Sequence, residues 1–146
     1  MTQAKALAFT SDRFDYTSDL PATANAGNRF YGKDVAEFLA AQLTAQGMPA
    51  VFMDEDWGWL VTGERGTEPV FQIAIHNLSE HREGGRPGAN RWGLFVEEFE
   101  TRKRLGLFTT QSEVPVSARL ASAVRAAIAA AGAHPESWDE SVEEGG

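Results

Sequence analysis

Residues 50–63 have the sequence AVFMDEDWGWLVTG. Two runs rich in β-branched and aromatic residues, AVFMD and WGWLVTG, lie on either side of polar acids, an order typical of two strands joined by a tight turn. Two further runs of this kind follow, VFQIAIHNL at 70–78 and RWGLFVEEF at 91–99. Because turn-forming residues separate the four runs, the sequence predicts an antiparallel meander.

Alternation within the runs assigns side chains to the two faces of the sheet. Alternate residues from Phe71 to Ile75 are large and apolar, and Trp57, Trp59 and Val61 are spaced to share a face of the second run. The intervening positions also include apolar side chains. We therefore expect both faces of the sheet to be partly covered, one of them by helices.

Helical spacing of apolar residues appears on both sides of the meander. Residues 34–46 predict an amphipathic helix that Gly47 ends, and the alanine-rich residues 115–131 predict a second helix that ends before Gly132. The run KALAFTSD at 5–12 is consistent with a first or edge strand. Together these elements predict an α+β fold, a four- to five-stranded antiparallel meander sheet packed with two helices. Residues 1–133 would form a single domain, and 134–146 an acidic, flexible tail.

Composition narrows the classes of function. The 146 residues include no cysteine, which excludes disulfides, thiolate metal sites and thiol nucleophiles. The net charge of −8 disfavours nucleic acid as a partner, because phosphate binding depends on Lys and Arg, and five of the excess acids lie in the tail. No apolar run has the length of a signal peptide or a membrane span, so we expect a cytoplasmic protein with no membrane partner.

The acidic centre of residues 50–63 is the first candidate binding surface. Asp54, Glu55 and Asp56 are consecutive, and Trp57 and Trp59 follow on either side of a glycine. These residues are equally consistent with a polar hairpin turn whose tryptophans pack in the core. If the aromatic rings are exposed, the carboxylates and rings would form a surface suited to a cationic partner.

The loop NAGNRFYG at 25–32 is the second candidate. Its Asn and Gly residues permit tight backbone turns, while Asn28, Arg29 and Tyr31 offer an amide, a guanidinium and a phenol for binding. A purely structural loop, stapled to the core ahead of the first helix, would use the same residues. The glycine spacing does not match a phosphate-binding loop, so no nucleotide site is expected.

The sequence gives little indication of a catalytic site. No nucleophile elbow occurs, and the three histidines do not stand at metal-binding spacing, so we expect no metal and no cofactor. Glu98 and Glu100 share a face of the fourth run without an apolar pocket to separate their pKa values. Three cations, residues 102–104, follow this run, and we expect them to lie in a solvated turn.

The two candidate motifs also carry a resemblance. The chain resembles a family of small bacterial proteins of uncharacterised function that combine an N-A-G-N-R-F-Y-G loop, an amphipathic helix and an E-D-W-G-W hairpin, here Asn25–Gly32 and Glu55–Trp59. The resemblance covers about residues 14–62. It implies a bacterial source and a compact single domain, and it brings no activity, cofactor or catalytic residue with it.

The leading hypothesis is therefore a small acidic protein-binding module whose partner is another, basic protein, with an immunity or antitoxin-like inhibitor as one form of it. The alternative is a small-molecule-binding or metal-assisted enzyme with its site between the 25–32 loop and the 54–59 hairpin. It would use Arg29, Tyr31, Asp54, Asp56 and His76, with His76 beside Asp54 or Asp56. The second apolar face of the sheet leaves open whether the protein is a monomer or a homodimer.

Overall fold

The structure is a computed structural model that describes residues 6–14, 22–27, 32–65, 68–78, 90–104 and 108–137. Helix α1 spans Lys33–Ala45 and helix α2 spans Ala118–Ala130. The strands described are β1 (Ala6–Ser11), β2 (Ala50–Glu55), β3 (Gly58–Arg65), β4 (Glu68–Asn77), β5 (Asn90–Arg104), β6 (Phe108–Val114) and the two-residue β7 (Glu136–Ser137). None of the described helices is long and apolar enough to cross a membrane.

The strands form one antiparallel sheet. Strands β2, β3, β4 and β5 are neighbours in chain order, which confirms the predicted meander and the α+β class. Strand β1 pairs with the first half of β5 and separates it from β7. Strand β6 pairs with the second half of β5. Glu98 of β5 pairs with Phe71 of β4 on one edge and with Val114 of β6 on the other edge. Strand β6 therefore lies on the edge of β5 that faces away from β4, which is also the edge that pairs with β1.

The predicted strand count was slightly too low, because the strand-like pattern of the fourth run ends at Phe99 and does not indicate β6. Strand β5 continues to Arg104, so residues 102–104 belong to a strand and the prediction of a turn there was wrong. The partner strand β6 has the sequence FTTQSEV, in which polar residues hide the alternation that would have indicated a strand. Pairing with β5 overrides that weak local preference.

One face of the sheet packs against both helices. The buried side chains of α1 and α2 lie over alternate residues of β3, β4, β5 and β1, as the alternation predicted for 71–75. The fully buried large apolar side chains among the described residues are Trp92, Leu43, Ile73, Ile75, Leu94, Leu120, Val61, Val96 and Val124. Burial of such side chains is the main source of stability in a domain of this size.

Strand β5 also fixes where α2 begins. The side chain of Ser117 accepts a hydrogen bond from the N–H of Leu120 at 3.2 Å, which is a helix N-cap. The N–H of Ser117 in turn donates to Oε1 of Glu98 at 2.7 Å. Glu98, which the sequence offered as one member of an acid pair, therefore joins the sheet to the start of the helix.

The first residues of the predicted tail are joined to the sheet. Ala133 is buried, and Glu136 and Ser137 pair with Ala8 and Leu7 of β1. Residues 138–146 lie outside the described part of the chain.

Candidate functional site

Strands β2 and β3 form a hairpin with a two-residue turn. Glu55 is opposite Gly58 at the end of the ladder, which leaves Asp56 and Trp57 as the turn. We call residues 54–57 the acidic tip. Asp54 and Asp56 are exposed and Glu55 is half-buried. A tight hairpin thus projects three carboxylates and one indole from one end of the sheet.

The tip is held by a residue about 30 positions earlier in the chain. Asn25 is fully buried, and its N–H donates to Oδ2 of Asp54 at 2.7 Å. Its side-chain amide donates to the main-chain oxygens of Glu55 at 2.9 Å and Gly58 at 2.6 Å. Buried amides that satisfy two carbonyls fix the relative position of the segments they join. Asn25 therefore fastens the 22–27 segment to the base of the tip.

An unusual backbone conformation aims Asn25 at the hairpin. Asn25 and Ala26 have φ of 55° and 56°, and Gly27 continues the left-handed turn with φ of 94°. Asparagine tolerates this region better than most residues, whereas alanine is strained by about 1 kcal/mol. The Asn and Gly residues of the 25–32 loop were predicted to allow tight turns, and the described part of the loop confirms this.

The second tryptophan of the hairpin belongs to the core. Trp59 is 5% exposed, and its ring centroid lies 6.5 Å from that of Phe52. A Cβ on Gly32, whose φ is +132°, would lie 2.8 Å from Cδ1 of Trp59. Only glycine combines that backbone angle with so close an approach. The last residue of the 25–32 loop thus packs directly on the hairpin motif.

The first tryptophan lies on the surface. Trp57 is 41% exposed, and its ring centroid lies 5.3 Å from that of His76 at an interplanar angle of 34°. The expectation that Trp57 shares a face with Trp59 and Val61 was wrong, because Trp57 lies in the turn and the strand begins only at Gly58. The two tryptophans therefore differ in exposure: Trp57 can contact a partner, whereas Trp59 is buried in the core.

The other residues proposed for binding lie in part outside the described chain. Asn28, Arg29 and Tyr31 are among residues 28–31, which the structure does not describe. Asn25 and Gly32, the first and last residues of the 25–32 loop, are described, and both contact the 54–59 hairpin. The structure thus brings the ends of the predicted loop to the predicted hairpin.

The histidine of the enzyme hypothesis lies apart from Asp54. Asp54 is opposite Trp59, and Trp59 is opposite Ile75, so these three side chains share the helix-covered face of the sheet. His76, one residue further, belongs to the other face. Among the described residues, no three His, Cys, Asp or Glu side chains are grouped closely enough to hold a metal ion.

A groove that the sequence did not indicate lies beside the tip, between α1 and β2. Residues of α1 (Glu37, Ala40, Ala41, Thr44 and Ala45) form one side of the groove, and residues of β2 (Ala50, Val51 and Phe52) form the other. Small side chains on one face of α1 leave an open space of about 580 Å³ there. Alanine is a good helix former, and nothing in the spacing of these alanines marks a groove.

Strand β2 is the outer strand at this end of the sheet. It pairs with β3, and no strand within the described ranges pairs with its other edge. Val51 is 52% and Met53 38% exposed on the face away from the helices. An outer strand with apolar side chains and main-chain groups that point away from its neighbour favours pairing with another chain.

Comparison of the chain with models of protein families, with curated proteins and with solved structures found no match.

Proposed function

We propose that this protein is a protein-binding module that uses the acidic tip, residues 54–57, to hold a basic partner protein. The observation that carries the proposal is the exposure of Trp57 on a turn that also displays Asp56. Tryptophan is enriched among the residues that dominate binding energy at protein interfaces. A large exposed indole beside carboxylates suits a partner that offers an apolar recess bordered by Lys or Arg.

The acidic tip is held in one conformation by contacts with the rest of the protein, which favours binding of a partner. Asn25 holds the turn from below with hydrogen bonds to Glu55 and Gly58, and Trp59 anchors the same hairpin in the core. A contact surface that is already ordered loses less conformational entropy when a partner binds. The acidic charge would also accelerate the encounter with a basic surface.

An inhibitor of a basic enzyme, of the immunity or antitoxin kind, is the form of partner binding that we propose. The net charge of −8 gives the whole chain the sign that such a partner requires. The small-molecule or metal-assisted enzyme has less support, because the Asp54 carboxylate already accepts the Asn25 N–H and belongs to the opposite face of the sheet from His76, so that hypothesis now depends on Asp56.

The proposal is tested with charge reversals that change the net charge equally. Asp56 in the tip and Asp12 beyond the end of β1 are both exposed. A partner is captured from a lysate of the source cells with the wild-type chain, identified and purified, and its Kd is measured for each variant. We expect Asp56→Lys and Trp57→Ala each to raise the Kd about tenfold or more, and Asp12→Lys to change it less than about twofold. Equal effects of the two reversals would contradict a specific role for the tip.

A further inference from the structure

The outer edge of β2 has main-chain groups that point away from β3. The N–H of Ala50 donates to Oγ1 of Thr44 at 3.1 Å, and its C=O accepts from the same hydroxyl at 3.4 Å, so Ala50 faces α1 rather than β3. In an antiparallel ladder this direction alternates with every residue. The main-chain groups of Phe52 and Asp54 therefore also point outward, while those of Val51 and Met53 pair with β3.

The side chains along this edge are apolar on both faces of the strand. Phe52 lies beside the groove whose other side is α1, and the groove is bordered there by Ala40 and Ala41. Val51 and Met53 are exposed on the opposite face. A strand added next to β2 would place its alternate side chains in the groove and against Val51 and Met53 respectively.

The acidic residues near one end of the groove indicate which kind of partner strand would fit there. Only residues 46–49 join α1 to β2, so the two elements run antiparallel, and Glu37 lies toward the same end as the acidic tip. Among the residues that the structure describes, no Lys or Arg lines the groove. An extended segment with apolar residues in its middle and Lys or Arg toward one end would satisfy both the groove and the acids at its end.

We propose that the partner inserts an extended segment of this kind as an added strand on β2, with its side chains in the groove between α1 and β2. This inference rests on the proposed function and specifies how the partner binds. The main-chain hydrogen bonds of Phe52 and Asp54 would supply affinity, and the groove and the acids would supply selectivity.

The probe for this inference is a library of random 12-residue peptides displayed on phage, selected against the intact protein. The tightest peptide is synthesised and added at saturation, and amide hydrogen exchange is followed by NMR. We expect the Phe52 and Asp54 amides to exchange at least about tenfold more slowly, while those of Val51 and Met53, already paired with β3, change little. Selection of no peptide, or no added protection at Phe52 and Asp54, would overturn the proposal.

A matched pair of variants tests the groove itself. Ala41 in the groove and Ala126 on α2 are both exposed helical alanines, so replacement of either by arginine should leave the fold intact. We expect Ala41→Arg to raise the peptide Kd at least about tenfold and Ala126→Arg to leave it within about twofold. Phe52→Pro removes an outward N–H without breaking a bond to β3 and should also abolish binding; because it removes the ring that packs on Trp59 as well, circular dichroism must first show that the variant is folded.

The outcomes distinguish failure of this inference from failure of the proposed function. If Asp56→Lys and Trp57→Ala weaken binding of the purified partner while Ala41→Arg and Phe52→Pro do not, the tip binds and the added strand is wrong. If none of the four matters, both proposals fail. Protection of Phe52 and Asp54 that rises with protein concentration alone would show a second copy on the edge and would overturn the added partner strand.

Discussion

The backbone N–H of Asn25 donates to the carboxylate of Asp54 at 2.7 Å, across 29 positions of sequence. With the two bonds from the Asn25 side chain, this contact makes one structural unit of two separate sequence motifs. The loop motif supplies the buried donor and the hairpin motif supplies the acceptors.

Replacement of Asn25 should destabilise the protein strongly. Asn25→Ala would leave the buried carbonyls of Glu55 and Gly58 without their amide donor, and we expect the free energy of unfolding to fall by about 2–4 kcal/mol. Asn25→Asp should cost at least as much at neutral pH, because a carboxylate would face two carbonyl oxygens. Urea denaturation measures both losses. An Asn25→Asp variant as stable as wild type would show that the side chain does not bridge the hairpin.

The two hairpin tryptophans should differ in their effect on stability. Trp59→Ala removes a buried ring, and we expect it to cost about 3–5 kcal/mol. Trp57→Ala removes a ring that is 41% exposed, and the expected cost is about 1 kcal/mol or less. Thermal and urea unfolding of the two variants provide the comparison. Similar losses for both would mean that Trp57 is a core residue and not a contact residue.

Gly32→Ala tests the packing of the loop on the hairpin, with Gly132→Ala as its control. Both glycines have positive φ, +132° and +81°, but a Cβ on Gly32 would approach Trp59 to 2.8 Å whereas one on Gly132 meets nothing within 4 Å. Gly132→Ala should therefore cost only a backbone penalty of about 1 kcal/mol, and Gly32→Ala about 1–3 kcal/mol more, because its φ lies further from the left-handed helical region and its Cβ would meet Trp59. Equal losses in chemical denaturation would contradict the close contact with Trp59.

The N-cap of α2 should contribute measurably to stability. Ser117→Ala removes the hydroxyl that accepts from the Leu120 N–H, and we expect a loss of about 1 kcal/mol, whereas Ser117→Asp should retain most of the cap. Because Glu98 bonds the Ser117 main chain, the aspartate variant also brings two carboxylates close together, so its stability should improve at higher salt. Urea midpoints at low and high salt test both statements.

Much of the fold followed from local patterns. The period of 3.6 in residues 34–46 predicted α1 to within one residue at each end, and period-two alternation in 70–78 predicted both β4 and its buried face. These patterns appear in the sequence because each element buries one face, which requires apolar residues at regular spacing. Strand β6 was missed for the same reason, since its polar residues carry no such signal and its place depends on the pairing with β5.

The candidate site was only partly predictable. The acids and tryptophans of residues 54–59 stand out in the sequence, yet the exposure of Trp57 and the burial of Trp59 depend on where the turn begins. Neither the groove beside Ala41 nor the outer position of β2 has a local signal. Both arise because α1 packs over the sheet at a position set by the whole core.

The sequence by itself determined the α+β class, both helices, the four-strand meander and the acidic, aromatic character of the hairpin. Hydrophobic period, turn residues and charge are local properties, so a local reading recovers them. Only the tertiary structure decided that Asn25 fastens the hairpin, that β2 lies at the edge of the sheet and that Trp57 lies on the surface. Those features depend on which distant segments meet: each Asn25 hydrogen bond joins a side chain to a main-chain group, and main-chain groups are nearly the same in every residue, so the partner leaves no mark in the sequence.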